Sequence, residues 1–133
     1  MRLLLDTHAF LWWDSDYQHL PKQVIDAISD RQNDVYLSLV SLWEMQIKSQ
    51  LGKLQLVSPM QQLISEQRVR NGIQLMPIKP PHIFGLNDLP HHHRDPFDRL
   101  LISQALLEDT WLVTHDRQIQ QYNLKIMWDK PVE

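Results

Sequence analysis

The chain has 133 residues, a formal net charge of −3, 43% hydrophobic residues, three glycines and no cysteine. Length and hydrophobic fraction predict one folded domain over 1–133, while the missing cysteines exclude a disulfide framework, a thiolate zinc site and a cysteine nucleophile, and fit a reducing, cytoplasmic setting. The scattered glycines leave no G-x-G-x-x-G or Walker loop, and the mildly acidic total argues against a passive nucleic-acid binder, whose affinity rests on a basic surplus.

Taken in chain order, Arg2-Leu3-Leu4-Leu5 is an apolar run that stops at Asp6 and reads as a buried strand. Thr7 is placed to cap a short helix through Ala9 to Trp13, and this stretch of about five residues is among the longest apolar runs, so neither a secretory signal nor a membrane span is expected. Pro21 opens a helix with Val24, Ile25 and Ile28 on one face, and Val35-Tyr36-Leu37 reads as a second strand. Ser41-Leu42-Trp43-Glu44 matches a capping box that opens a helix to about Gln50, with Gly52 beyond it. Ser58-Pro59 begins another helix that ends at Asn71-Gly72, and residues 73–78 form a third strand bounded by Pro77. A short helix around His82 to Leu86 leads into a histidine-rich loop. Asp95-Pro96-Phe97-Asp98 has a cap, a first-turn proline and a first-turn acid, and predicts a helix to about Asp109. Strand Trp111 to Thr114, a short helix from Asp116 to about Gln121 and a last strand over Lys125 to Trp128 complete the pattern.

Strands that alternate with helices predict an α/β, three-layer sandwich around a mostly parallel sheet of about five strands. Ligands gather outside the carboxyl ends of such strands. Asp6, Glu44 and Asp116 fall there, and Asp98 joins them if the loop before it carries its helix start to the same edge. Each acid alone has an ordinary reading as a helix cap or first-turn acid. Four together repel one another unless a cation sits among them. Oxygen ligands without sulfur suit Mg²⁺ or Mn²⁺, one or two ions, and such ions support phosphodiester hydrolysis. Two of them would more than offset the charge of −3.

His91, His92 and His93 precede Arg94-Asp95, while His8 and His115 adjoin site acids. They are open to metal ligation, loop packing, hydrogen bonding to the acids or contact with phosphate; no H-E-x-x-H pattern is present. Arg94 and Arg99 are candidates for RNA phosphate contact or for surface ion pairs. Of Trp12 and Trp13, one is expected to be exposed and available for stacking or for a partner, whereas Trp43 and Trp111 read as core residues.

Leu4-Leu5-Asp6-Thr7-His8, Ser41-Leu42-Trp43-Glu44 with Lys48 and Gly52-Lys53-Leu54, the run from Leu89 through Leu101, and Val113-Thr114-His115-Asp116 together resemble a PIN domain of the VapC toxin type. The resemblance spans about Leu3 to Trp128. It implies a Mg²⁺- or Mn²⁺-dependent endoribonuclease that is the toxin of a type II toxin–antitoxin pair, with Asp6, Glu44, Asp98 and Asp116 as the metal-holding catalytic acids. Thr114 would position water or support the acids, and Asp95 either touches metal or only sets the loop. RNA substrate, a small antitoxin that covers the site and a homodimer are implied as partners, with no membrane. A catalytically weak PIN-like module that binds RNA or protein is the alternative, and a zinc or manganese hydrolase built on the histidine loop is a third reading. A haloacid-dehalogenase phosphatase would need Asp where His8 stands, and a lipase-like hydrolase would need G-x-S-x-G.

Overall fold

In the computed structural model, which describes residues 1–128, five parallel strands form one sheet in the order β3-β2-β1-β4-β5. They are β1 (Arg2–Leu5), β2 (Asp34–Ser38), β3 (Gln74–Met76), β4 (Trp111–Val113) and β5 (Ile126–Met127). Helices α1 (Thr7–Ser15), α2 (Lys22–Ser29), α3 (Leu39–Gln50), α4 (Met60–Asn71), α5 (Pro80–Phe84) and α6 (Pro96–Leu107) connect them. The expected sandwich is therefore present. Residues 129–133 of the expected single domain lie outside the described residues.

The three leucines of β1 show how the sheet serves two cores. Because side chains alternate across a strand, Leu3 and Leu5 pack with Phe10, Val24, Ile28, Met45 and Leu63 on one face. Leu4 packs with Leu101, Ile102, Leu112 and Ile119 on the other. Both faces of the central strand are covered, which explains why its sequence is continuously apolar rather than alternating.

Helix boundaries follow local chemistry, with four departures from the sequence reading. Asp6, not Thr7, caps α1, its carboxylate accepting the Ala9 amide. Ser38 caps α3, accepting the Val40 amide, so the helix begins before Ser41 and the Ser41/Glu44 pair faces inward instead of forming a capping box. The helix expected after Asp116 is only a 3-10 turn over Ile119–Gln121. Trp43, expected in the core, is 56% exposed and lies edge-on to Phe97, with ring centroids 5.0 Å apart. The Asp95-Pro96 start of α6 is as the sequence predicts, with Asp95 Oδ1 accepting the amides of Phe97 and Asp98 at 2.8 and 3.1 Å. Gly72 ends α4 at φ 67°, a conformation that an L side chain adopts only with strain.

Winding proceeds outward from β1 to β3 and then resumes on the opposite side with β4, so the direction reverses between β1 and β4. A crevice opens at such a reversal, outside the carboxyl ends of the strands. Among the described residues, no helix is long and apolar enough to cross a membrane.

Leu4 is fully buried at the centre of the second core. Leu4→Ala should cost about 2–5 kcal/mol in chemical denaturation through lost burial plus a residual cavity. Leu106→Ala, at a position 45% exposed, should cost about 0.5 kcal/mol or less.

Candidate active site

The structure sets Asp6, Glu44, Asp98 and Asp116 around this reversal: Asp98 and Asp116 meet at His93, the three offering ligand atoms within 4.8 Å of one another, and Asp6 and Glu44 lie near enough to act on Asp98 electrostatically. Asp6 is the first residue after β1 and is only 5% exposed, with Oδ1 accepting the Ala9 amide at 2.7 Å. Asp116 follows β4, and its Oδ1 accepts the amides of Gln118 and Ile119 at 2.8 and 3.2 Å. Thr114 lies between the two: it accepts the Asp116 amide at 3.0 Å, and its hydroxyl is near enough to the Asp6 carboxyl to oppose the rise in that acid's pKa. That hydroxyl is buried at the end of β4, so its bond fixes Asp116 relative to the sheet.

Glu44 projects from α3 and is 3% exposed. Its Oε1 lies 2.7 Å from Thr7 Oγ1, which in turn lies 2.9 Å from Ser41 Oγ. A hydroxyl has one proton and a carboxylate only accepts, so Ser41 donates to Thr7 and Thr7 donates to Glu44. The Lys48 ammonium, one helical turn on, is 2.5 Å from the other Glu44 oxygen, and that bond raises the lysine pKa. Thr7 and Lys48 were not singled out for these roles from the sequence. The available signal was adjacency: Thr7 follows Asp6, and Lys48 is at the i+4 position from Glu44.

Asp98 reaches the site through the loop before α6, by way of His93. Nε2 of this buried histidine is 3.1 Å from Asp98 Oδ2 and 2.9 Å from Asp116 Oδ2. Nδ1 of the same ring accepts the Asp95 amide at 3.0 Å. Nδ1 is therefore the lone-pair nitrogen and Nε2 carries a proton shared between two carboxylates. Ligation of a metal through Nε2 would move that proton to Nδ1, where it would face the Asp95 N–H. The ring thus serves as a donor that aligns Asp98 and Asp116, a role that support the acids require of an outer residue. His91 and His92 are exposed.

Arg99 is placed differently from the expected phosphate contact. Its guanidinium donates to the carbonyls of Pro90, His93, Leu86 and Leu89 at 2.9 to 3.5 Å and to the Tyr122 hydroxyl at 3.3 Å. Tyr122 receives the His93 amide at 3.0 Å and donates to the Pro90 carbonyl at 2.7 Å. Arg99 and Tyr122 together lock the loop that aims His93. Arg94 is exposed, and Asp95 acts as the cap of α6.

Electrostatics show how closely the acids approach. Burial pushes Asp6 up, with Asp116 adding to the effect. Burial, then the neighbouring Asp95, and then Glu44 and Asp6 push Asp98 up to about 7, against the opposing pull of His93. Partial burial also works to raise Asp116, but the hydrogen bonds from His93 and from the Ile119 and Gln118 amides outweigh it and the net shift is downward. A divalent cation fits this donor set: the carboxylates supply hard oxygen ligands, and its charge would offset the burial and repulsion that push Asp6 and Asp98 upward. An open groove of about 890 Å³ between α3 and α4, lined by Leu42, Met60, Ile64 and Arg68, contains none of these acids.

A family model for the PIN domain matches residues 3–125. The chain belongs to the PIN domain family. This PIN domain is 26% identical over 121 residues to Ribonuclease VapC22 of Mycobacterium tuberculosis, covering 90% of this chain and 91% of that protein. Its fold matches a chain of VapBC2 from Rickettsia felis bound to a DNA fragment from their promoter, with TM-score 0.70, 18% identity and coverage of 97% and 100%. VapBC-1 from nontypeable Haemophilus influenzae matches with TM-score 0.66, 16% identity and coverage of 96% and 97%. FitAcB from Neisseria gonorrhoeae matches with TM-score 0.61, 15% identity and coverage of 93% and 95%.

The raised Asp98 carboxyl predicts a pH signature in metal-stripped PIN domain. A carboxyl with a folded pKa near 7 binds its proton more tightly when folded. Its contribution to stability is fully present below about pH 4, the unfolded value, and is lost as pH rises through about 7. Asp98→Asn should therefore match wild type in Tm at or below about pH 4 and exceed it by about 5 °C or more at pH 8, read by circular dichroism in chelator. A difference that stays constant with pH would contradict the assignment.

Proposed function

We propose that this PIN domain is a Mg²⁺- or Mn²⁺-dependent endoribonuclease and the toxin of a type II toxin–antitoxin pair. The observation that carries the reading is the arrangement of Asp6, Glu44, Asp98 and Asp116 around the sheet reversal, each oriented by named donors. The ribonuclease name of the Mycobacterium relative and the VapBC identity of the structural neighbours support it. RNA is the substrate, a cognate antitoxin protein and a second copy of the chain are the partners, and the setting is cytoplasmic.

The four acids would hold one or two divalent ions. When bound, such an ion lowers the pKa of a coordinated water and stabilises charge that develops on phosphoryl oxygen during in-line displacement. The chain's own residues fix the geometry. Thr7 holds the Glu44 carboxylate, Thr114 lies between Asp6 and Asp116, and the His93 N–H holds Asp98 and Asp116 side by side. Lys48 neutralises part of the negative charge that would repel an RNA phosphate.

Purified protein should cleave single-stranded RNA with Mg²⁺ or Mn²⁺ and lose cleavage in chelator. Asp6→Asn or Asp98→Asn should reduce the rate by about a hundredfold or more, because each removes a ligand from a centre that supplies several kcal/mol. His93→Ala should reduce it by about 10- to 100-fold, the range typical of residues that orient ligands. Activity that survives chelator and Asp6→Asn would contradict the metal-dependent mechanism. RNA binding without any cleavage, unaffected by Glu44→Gln, would favour the catalytically weak binding module instead. In cells, growth arrest by the chain should be relieved by co-expression of its antitoxin.

A further inference from the structure

Beside the carboxylates lies an aromatic shelf that the proposed chemistry does not use. Trp12 of α1 and Trp128 after β5 form its floor, with ring centroids 5.8 Å apart. His115 stacks on Trp128 at 5.3 Å and an interplanar angle of 22°, and it also approaches Trp12 at 6.5 Å. His8 is tilted against Trp12 at 5.9 Å, while His19 stacks on the same indole at 5.4 Å and 18°. Trp128 is buried and Trp12 half-buried, but His8, His19 and His115 are exposed. The floor therefore carries three exposed imidazoles, of which His19 is also tied through Nδ1 to the Asp16 carboxylate at 2.8 Å, leaving His8 and His115 as the rings nearest the acids.

The position of the shelf decides what it can meet. His115 directly precedes Asp116, and His8 is two residues after Asp6. Their Cα atoms lie within about 4 and 7 Å of those of the two acids by chain geometry alone. A nucleotide chain whose phosphate rests at the acids must place a flanking base within reach of one of these rings. Packing alone would not account for the arrangement, since a core cluster would bury the imidazoles with the tryptophans, and here only the tryptophans are covered.

We propose that His8 and His115, seated on Trp12 and Trp128, form a stacking subsite for the nucleobase that flanks the scissile phosphate of single-stranded RNA. The inference rests on the endoribonuclease reading and adds a binding determinant to it. Flat aromatic faces bind every base, so the subsite contributes affinity for unpaired RNA with little sequence preference. The indole floor fixes the imidazoles before RNA arrives, which limits the ordering cost of binding.

The test compares wild type with the double variants His8→Ala/His115→Ala and His8→Phe/His115→Phe, after thermal melts confirm folding. With a single-stranded oligoribonucleotide and Mn²⁺, the alanine pair should raise KM about tenfold with kcat within about twofold, and the phenylalanine pair should restore KM because it restores flat faces. An abasic nucleotide beside the cleaved bond should weaken wild type to the same extent and remove the difference between wild type and the alanine pair. Independently of cleavage, the imidazole proton resonances of His8 and His115, but not those of His91 and His92, should shift upfield on titration of metal-free protein with adenosine monophosphate. Unchanged KM together with unshifted resonances would overturn the subsite while leaving the nuclease reading intact. Shifted resonances in a protein that cleaves no RNA would overturn the nuclease reading and leave the stacking surface. Loss of binding to a protein partner by the alanine pair, with KM unchanged, would overturn the proposal by assigning the shelf to that partner.

Discussion

Mutual repulsion among four carboxylates is the constraint around which the molecule is arranged. Acids at close range and partly out of water resist ionising together, and Asp98 is pushed up to about 7. The fold opposes this with donors at every acid: the Ala9 amide and Thr114 for Asp6, Thr7 and Lys48 for Glu44, and one His93 N–H shared by Asp98 and Asp116. None of these donors fully neutralises its partner. On the metal-dependent reading proposed above, the remaining negative potential would draw in a hard cation.

Parallel topology supplies the place, and loops supply the aim. The reversal between β1 and β4 sets Asp6 and Asp116 side by side without any special loop, because both follow paired strands in register. Asp98 lacks that advantage, since its helix is reached through the segment after α5. That segment is stapled by Arg99 and Tyr122, which together bind its carbonyls and the His93 amide. A charged side chain that the sequence offers to solvent is therefore committed to backbone, and its worth lies in directing the imidazole. Asp95 contributes twice, capping α6 with its carboxylate and fixing the His93 tautomer with its amide.

Much of this was legible in the sequence where one local rule dominates. An apolar run that ends in Asp identifies Asp6, and Asp-Pro before a hydrophobic helix identifies Asp95 and the Asp98 turn. Ambiguity entered where two rules compete. Ser38 and Ser41 are both good caps, and the one nearer the strand end prevails, which rotates Ser41 and Glu44 inward and leaves Trp43 outside. Three consecutive histidines are indistinguishable by type. Only the Asp95 amide and the Asp98 carboxylate nearby, together with the Asp116 carboxylate brought in across the fold, select His93. The imidazoles of the aromatic shelf come from segments about a hundred residues apart, so their meeting depends on the pairing of β1 with β4.

The central claim is that these four acids act as one cation-holding centre. Calorimetric titration of the purified protein with Mn²⁺ at pH 7, repeated in buffers of different ionisation enthalpy, tests it most directly. The account predicts saturable binding accompanied by release of about half a proton from Asp98. It also predicts that Asp6→Asn weakens the binding severely and that Asp98→Asn abolishes that proton release. Binding that persists unchanged in both variants, or that is lost only when His91 and His92 are replaced by alanine, would contradict it.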